Sequence, residues 1–213
     1  MTDRNQCNGR PLDEVVGNAV EGGANIVQLR EKDLPAGELL ALAERLRAIT
    51  AGRAMLFVND RLDVALACGA DGVQLGEESL PLEAARKVAG NRLLLSRSVH
   101  SVEGAVEAEG APGCAERRGA DLLIVGTIFP TGSHPGAEAA GVQLLRQVRE
   151  RVRIPFLAIG GVNADNIESM IRSGASGAAV ISTITRSDDP EGASRELMEK
   201  IKGAWKSTRE ARA

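Results

Sequence analysis

Aromatic side chains are scarce in this chain. There is no tyrosine, and Phe57, Phe129, Phe156 and Trp205 are the full complement. That leaves no platform on which nucleic-acid bases could stack. A net charge of −3 without any basic run supplies no electrostatic footprint for nucleic acid either. No apolar stretch approaches the ~20 residues of a membrane span. The polar opening MTDRNQCNGR has no secretory or transit pattern. The three cysteines, Cys7, Cys68 and Cys114, are odd in number and widely spaced, matching neither a zinc site nor a disulfide framework. The expected compartment is the reducing cytoplasm, with Cys68 a small buried hydrophobe in DVALACGA.

What the chain has instead is a beat. Gly-Ala pairs at 23, 69, 119 and 174 each open an apolar run, at intervals of about 50 residues. That is the length of two strand-plus-helix units, and MLFVN (55–59), LLLS (93–96) and FLAIG (156–160) supply the alternate strands. The pattern predicts a TIM (β/α)8 barrel, in which the chemistry sits on the loops after the strands. With ordinary globular composition, residues 1–213 make one domain with a frayed tail over about 206–213. PAGELLALAERLRAI places Leu39, Leu42, Ala43, Leu46 and Ile49 on one helical face. Ser79 and Ser101 are candidate helix caps, and Gly90 a helix stop. EGAPGCAERRG, with Pro112-Gly113, breaks the fifth helix on the outer face. Only seven strands are visible, because nothing apolar precedes the helix PLDEVVGNAVEGG. A truncated or missing first strand follows: either translation starts upstream, or the N-terminal arm completes the barrel poorly.

The residues that follow the strands are polar to an unusual degree, and both histidines are among them. Gly160-Gly161 and Ser182 lie after the last two strands, where barrels commonly hold a phosphate. Glycines admit an anion to the backbone, although the same pair could simply make a tight turn, and the coincidence with Ser182 favours phosphate. Gln28, Arg30 and Lys32 alternate along QLREK, so they are expected to share a face, and two cations suit a pyrophosphate. The competing reading pairs Arg30 and Lys32 with Glu31 and Asp33. Asn59-Asp60 either caps the helix RLDVALA or meets a pyrophosphate, with Asp60 on Mg2+. His100 is either a proton-transfer group or a solvated helix-start residue, and His134 sits in a long Gly/Pro loop suited to a lid.

Together these strand ends resemble the thiamine phosphate synthase/TenI family. The resemblance rests on QLREK (28–32), FVNDR-DVAL-GADGVQLG (57–76), Ser96, Ser98 and His100, GTIFPT (126–131), PFLAIGGV (155–162) and AVIST (179–183). It covers nearly the whole chain, and Thr2-Asp3-Arg4 matches the stereotyped end of the family's first strand. The resemblance implies a synthase that joins an aminopyrimidine pyrophosphate to a thiazole phosphate and releases pyrophosphate, with these small phosphorylated pyrimidine and thiazole substrates as partners and neither nucleic acid nor membrane. A homo-oligomer is compatible with it. Carried over, Arg30, Lys32, Ser98 and His100 become catalytic. Gln28 would touch the pyrimidine and Asn59 the pyrophosphate, while Thr131, Ser133 and His134 contact substrate from the lid. Gly160, Gly161, Ile181 and Ser182 would hold the thiazole phosphate, and Asp60 would bind Mg2+.

Two departures favour the family's other branch. Where the synthase pattern has a second metal-binding aspartate, this chain has Ser79, with Glu77 and Glu78 out of register. Where it has a lid lysine, this chain has His134. The alternatives are therefore a TenI-type tautomerase, which uses His100 and no metal, and a non-catalytic thiazole-phosphate-binding protein.

Overall fold

The computed structural model describes residues 1–110, 119–131 and 138–210. The strands are β1 (Ile26–Leu29), β2 (Met55–Asn59), β3 (Gly72–Leu75), β4 (Leu94–Val99), β5 (Leu122–Val125), β6 (Phe156–Ile159) and β7 (Gly177–Ala179). They form one sheet in sequential order, in which β1–β2, β2–β3, β5–β6 and β6–β7 pair in parallel. Helices α1 (Leu12–Glu21), α2 (Ala36–Thr50), α3 (Leu62–Ala67), α4 (Leu82–Ala89) and α5 (Val102–Glu109) alternate with them. So do α6 (Gly141–Arg151), α7 (Ile167–Arg172), α8 (Ser182–Thr185) and α9 (Pro190–Glu210). This is a TIM-like α/β fold, and among the described residues no strand precedes β1. The last helix includes residues 206–210. No described helix is long and apolar enough to cross a membrane.

The chain divides into two compact units. The first comprises Met1–Ser96 with Ile181–Arg195, and the second Arg97–Val180 with Glu196–Ala213. In the first unit Leu29, Leu56, Val58, Val73, Leu75 and Leu95 are wholly buried. Against them pack Leu39, Leu42, Ala43 and Leu46 of α2, the face expected from the sequence, with Thr50 buried and Ile49 only half-buried at its end. Each fully buried leucine contributes about 1.5–3 kcal/mol relative to an exposed one. In the second unit Leu123, Val125, Phe156 and Ala158 are buried, as are Leu145 and Val148 of α6 and Ile167 and Met170 of α7. Strands covered on both faces read as continuous apolar runs, and β3 is buried at all four positions.

Several local expectations need correction. Ser79 does not cap α4, whose N-cap is Pro81. Its hydroxyl is engaged elsewhere. Asn59 and Asp60 do not cap α3, which begins after Arg61 without a side-chain cap. β4 runs on to Val99, so Ser96 and Ser98 lie within the strand, on one face, with Ser96 wholly buried. β1 stops at Leu29, so strand alternation does not reach Arg30 or Lys32. Cys68 is half-buried, its thiol pKa pushed up by desolvation. Ser101 does cap α5, accepting from the Gly104 N–H, and Gly90 does end α4 with a φ of 57°. Pro112-Gly113 and Cys114 lie outside the described residues.

The edge of β1 is where the N-terminal arm sits. The Thr2 N–H donates to the Gln28 carbonyl at 2.8 Å, and the Arg30 N–H donates to Thr2 Oγ1 at 2.9 Å. One residue thus satisfies backbone groups that an open strand edge would expose.

The glycine of GADGVQLG is required by packing. A Cβ at Gly72 would stand 2.7 Å from Phe57 Cζ and 2.8 Å from the Leu94 carbonyl oxygen. We expect Gly72→Ala to lose about 1–3 kcal/mol of stability by overpacking, read as a lowered urea midpoint. An unchanged midpoint would mean that this contact is not made.

Candidate active site

In the first unit, the carboxyl ends of β1, β2 and β3 carry a chain of hydrogen bonds. Gln28, buried near the end of β1, donates through Nε2 to Asn59 Oδ1 at 3.0 Å. Asn59 Nδ2 donates to Asp60 Oδ2 at 2.8 Å. Asp60 Oδ1 accepts from the Ser79 hydroxyl and, at 3.4 Å, from the Gly76 N–H. Gly76 N–H also donates to Ser79 Oγ at 2.8 Å. Four side chains from three consecutive strand ends are thereby fixed relative to one another.

The backbone beneath Asp60 is tightly wound. Asp60 has a φ of 60°, one of two non-glycine residues in the left-handed region among those described. Arg61 N–H donates to the Asn59 carbonyl at 2.7 Å, and Leu62 N–H to the Asp60 carbonyl at 3.1 Å, two successive three-residue turns. Aspartate tolerates this conformation better than most residues, and such strain persists only where neighbours hold it. Here Asp60 N–H is also tied to the Gln74 carbonyl at 2.8 Å.

The cations on QLREK are not paired as the competing reading supposed. Glu31 is buried, its side chain 2% exposed. It accepts from Thr2 Oγ1 at 2.7 Å, from the Arg4 N–H at 3.1 and 3.2 Å, and from Arg4 Nη1 at 2.9 Å. The Arg4 guanidinium also takes Asp33, at 2.7 and 2.5 Å, and holds that carboxyl below its ordinary pKa. Both acids are thus spent on Arg4. Among the described residues, neither Arg30 nor Lys32 makes a side-chain hydrogen bond or ion pair. Arg30 is half-buried and Lys32 exposed. Sequence reasoning missed Thr2 and Glu31 here, although Thr2-Asp3-Arg4 had stood out as a motif.

The remaining first-unit candidates lie after β7. Ile181 is half-buried and precedes α8, and Ser182 is exposed in its first turn. In the second unit, Ser98 is half-buried within β4 and His100 is exposed just beyond it. Thr131 is half-buried, whereas Ser133 and His134 lie outside the described residues. Gly160 and Gly161 have φ of 105° and 59°, and a Cβ would come within 2.6 Å of Thr127 Cγ2 and 2.5 Å of the Pro130 carbonyl oxygen respectively. Backbone geometry alone therefore demands both glycines. Beyond them, the N–H groups of Asn163, Asp165 and Asn166 are occupied by Asn163 and Asn166 side-chain oxygens, a local turn that competes for helix-start amides.

A divalent cation would find one carboxylate, Asp60, and the Ser79 hydroxyl. Glu77 and Glu78 are exposed, and no described group of three His, Cys, Asp or Glu side chains is placed to hold a metal. Each Asp60 oxygen keeps acceptor capacity beyond its present bonds. That donor set fits Mg2+ only as a one-carboxylate site completed by substrate oxygens and water.

Ser79→Ala should cost about 1–2 kcal/mol, because Asp60 Oδ1 and the Gly76 N–H both lose a partner. Urea denaturation measures it, and a loss near zero would mean that water replaces the hydroxyl freely.

The sequence pattern of the family described as thiamine monophosphate synthase (TMP-TENI) matches residues 1–184. A thiamine-phosphate synthase of Clostridium novyi (strain NT) is 40% identical over 199 residues, covering 92% of this chain and 94% of that protein. One from Pyrococcus furiosus is 42% identical over 198 residues, covering 92% and 90%. Among solved structures, a thiamine phosphate pyrophosphorylase from Pyrococcus furiosus superposes with a TM-score of 0.85 at 41% identity, covering 95% and 94% of the two chains. With a family pattern spanning most of its length and relatives of this similarity, the chain belongs to the thiamine monophosphate synthase family.

Proposed function

We propose that this protein is a thiamine-phosphate synthase, a transferase that joins an aminopyrimidine pyrophosphate to a thiazole phosphate and releases pyrophosphate. The observation that carries this reading is the pair of uncommitted cations, Arg30 and Lys32, in the segment that follows Gln28, whose side chain is bonded to Asn59. Their neighbouring carboxylates are bonded to Arg4 instead, so the Arg30 and Lys32 side chains are left to meet an anion.

In the reaction that the family resemblance implies, the bond between the pyrimidine's methylene carbon and the pyrophosphate oxygen breaks first. The electron pair leaves with pyrophosphate, and the lone pair of the thiazole nitrogen then forms the new C–N bond. Arg30 and Lys32 stabilise the negative charge that grows on the leaving group, an interaction stronger in the transition state than in the bound substrate. Gln28, oriented by its bond to Asn59, presents its remaining amide oxygen to the pyrimidine. Asn59 supplies an amide donor to the pyrophosphate. Asp60 and Ser79 are the residues that would hold Mg2+, which would neutralise pyrophosphate charge when bound. Ser182 is the first-unit group for the thiazole phosphate. Among the described residues Cys7 and Cys68 are free thiols, which suits a reducing compartment.

The test is pyrophosphate release with both substrates, with and without EDTA. We expect release that needs both substrates and stops with EDTA, and a loss of about 100-fold in kcat/KM for Arg30→Ala. Turnover of thiazole phosphate alone, indifferent to EDTA and abolished by His100→Ala, would replace this reading with a tautomerase.

A further inference from the structure

The N-terminal arm is tied at two places to the segments that carry the anion-binding candidates of the first unit. At one end, Thr2 Oγ1 receives the Arg30 N–H at 2.9 Å and donates to the buried Glu31 at 2.7 Å. A single hydroxyl therefore sets the backbone of Arg30 and links it to a charged anchor. At the other end, Arg10 spreads its guanidinium over carbonyls at the close of α8. Nη2 donates to Thr185 O at 3.1 Å and Ser187 O at 2.6 Å, and Nη1 to Asp188 O at 3.4 Å. Arg10 Nε returns to Cys7 O at 3.3 Å, and Asn8 Nδ2 reaches Arg186 O at 2.9 Å.

Between these ties the arm is itself well fixed. Asp3 receives the Asn5 N–H at 3.1 Å and the Gln6 side-chain amide at 2.5 Å, and Cys7 is 1% exposed. The arm is thus a short, internally bonded strut. One end holds the residue that meets pyrophosphate, and the other holds the turn that begins with Ser182. Thr185 closes the one-turn helix α8 while Ser187 and Asp188 follow it, so the guanidinium ties the end of that helix to the segment beyond it.

We propose that Thr2 and Arg10 are positioning residues. Thr2 sets Arg30 for the pyrophosphate, and Arg10 sets the Ile181–Arg186 turn for the thiazole phosphate. The assignment rests on the roles proposed above for Arg30 and Ser182. Neither residue touches substrate, and each acts through a backbone it holds.

Thr2→Val keeps the side-chain shape and removes the hydroxyl, and Thr2→Ser restores it. We expect Thr2→Val to weaken binding of inorganic pyrophosphate, measured by calorimetry, roughly tenfold, with a matching rise in KM for the pyrimidine substrate. The KM for thiazole phosphate should stay within about twofold, kcat should fall because Arg30 also acts on the leaving group in the transition state, and Thr2→Ser should return to wild-type values. Arg10→Ala should show the opposite split, raising KM for thiazole phosphate roughly tenfold and sparing pyrophosphate affinity. If both variants only lower the melting temperature and leave both KM values unchanged, the arm is a structural brace and the proposal is overturned. If the wild type binds pyrophosphate and Thr2→Val weakens it, but no thiamine phosphate forms, the positioning role of Thr2 stands and the synthase reading fails. A wild-type protein that binds no pyrophosphate overturns both.

Discussion

The carboxylate of Glu31 is the constraint on which the first unit's candidate site depends. A buried anion is tolerated only when it is paired and hydrogen-bonded, and Glu31 meets that condition entirely through Thr2 and Arg4. The consequences run in two directions. The N-terminal arm is drawn onto the edge of β1, where it satisfies backbone groups in place of a strand. At the same time Arg4 occupies Glu31 and Asp33 together, so the two cations interleaved with those acids are left with nothing in the described structure to neutralise them. Had the four alternating charges of REKD paired among themselves, the strand end would be electrically quiet.

A second constraint is the aspartate at the end of β2. Asp60 sits in a left-handed turn, held by Asn59, Ser79 and the Gly76 amide, with its backbone N–H tied to β3. A serine in place of a second carboxylate changes the electrostatics: it donates to Asp60 rather than repelling it. That arrangement orders a single carboxylate, and a divalent cation there would depend more on substrate oxygens. The departure of Ser79 from the family's usual acid thus has a physical counterpart in the hydrogen bonding around Asp60.

Much of the architecture was legible in the chain. All seven strands fall within or against the apolar runs read from the chain, four opened by Gly-Ala pairs and three lying between them, because buried parallel strands must be nearly continuous in hydrophobic residues. The buried face of α2 and the Ser101 cap follow from local rules of period and backbone satisfaction. Long-range pairing was not legible. Nothing local tells Glu31 to choose an arginine 27 positions away over the cations on either side of it, or Ser79 to bond an aspartate 19 positions back instead of capping its own helix. Nor could periodicity show that β1 ends at Leu29, with Thr2 bonded on either side of that residue. Gly160-Gly161 marked a real backbone requirement, and steric room explains the pair as fully as an anion would.

Arg4 leaves Arg30 and Lys32 open to an anion by engaging the carboxylates between and beside them. Calorimetric affinity for inorganic pyrophosphate tests it most directly, in Arg4→Ala and in the same variant with Glu31→Gln and Asp33→Asn added. A roughly tenfold loss is expected in the first, as the released acids turn to Arg30 and Lys32, with recovery of most of it when those acids are neutralised. An Arg4→Ala protein that binds pyrophosphate as well as the wild type, or a loss that neutralising both acids does not repair, would contradict it.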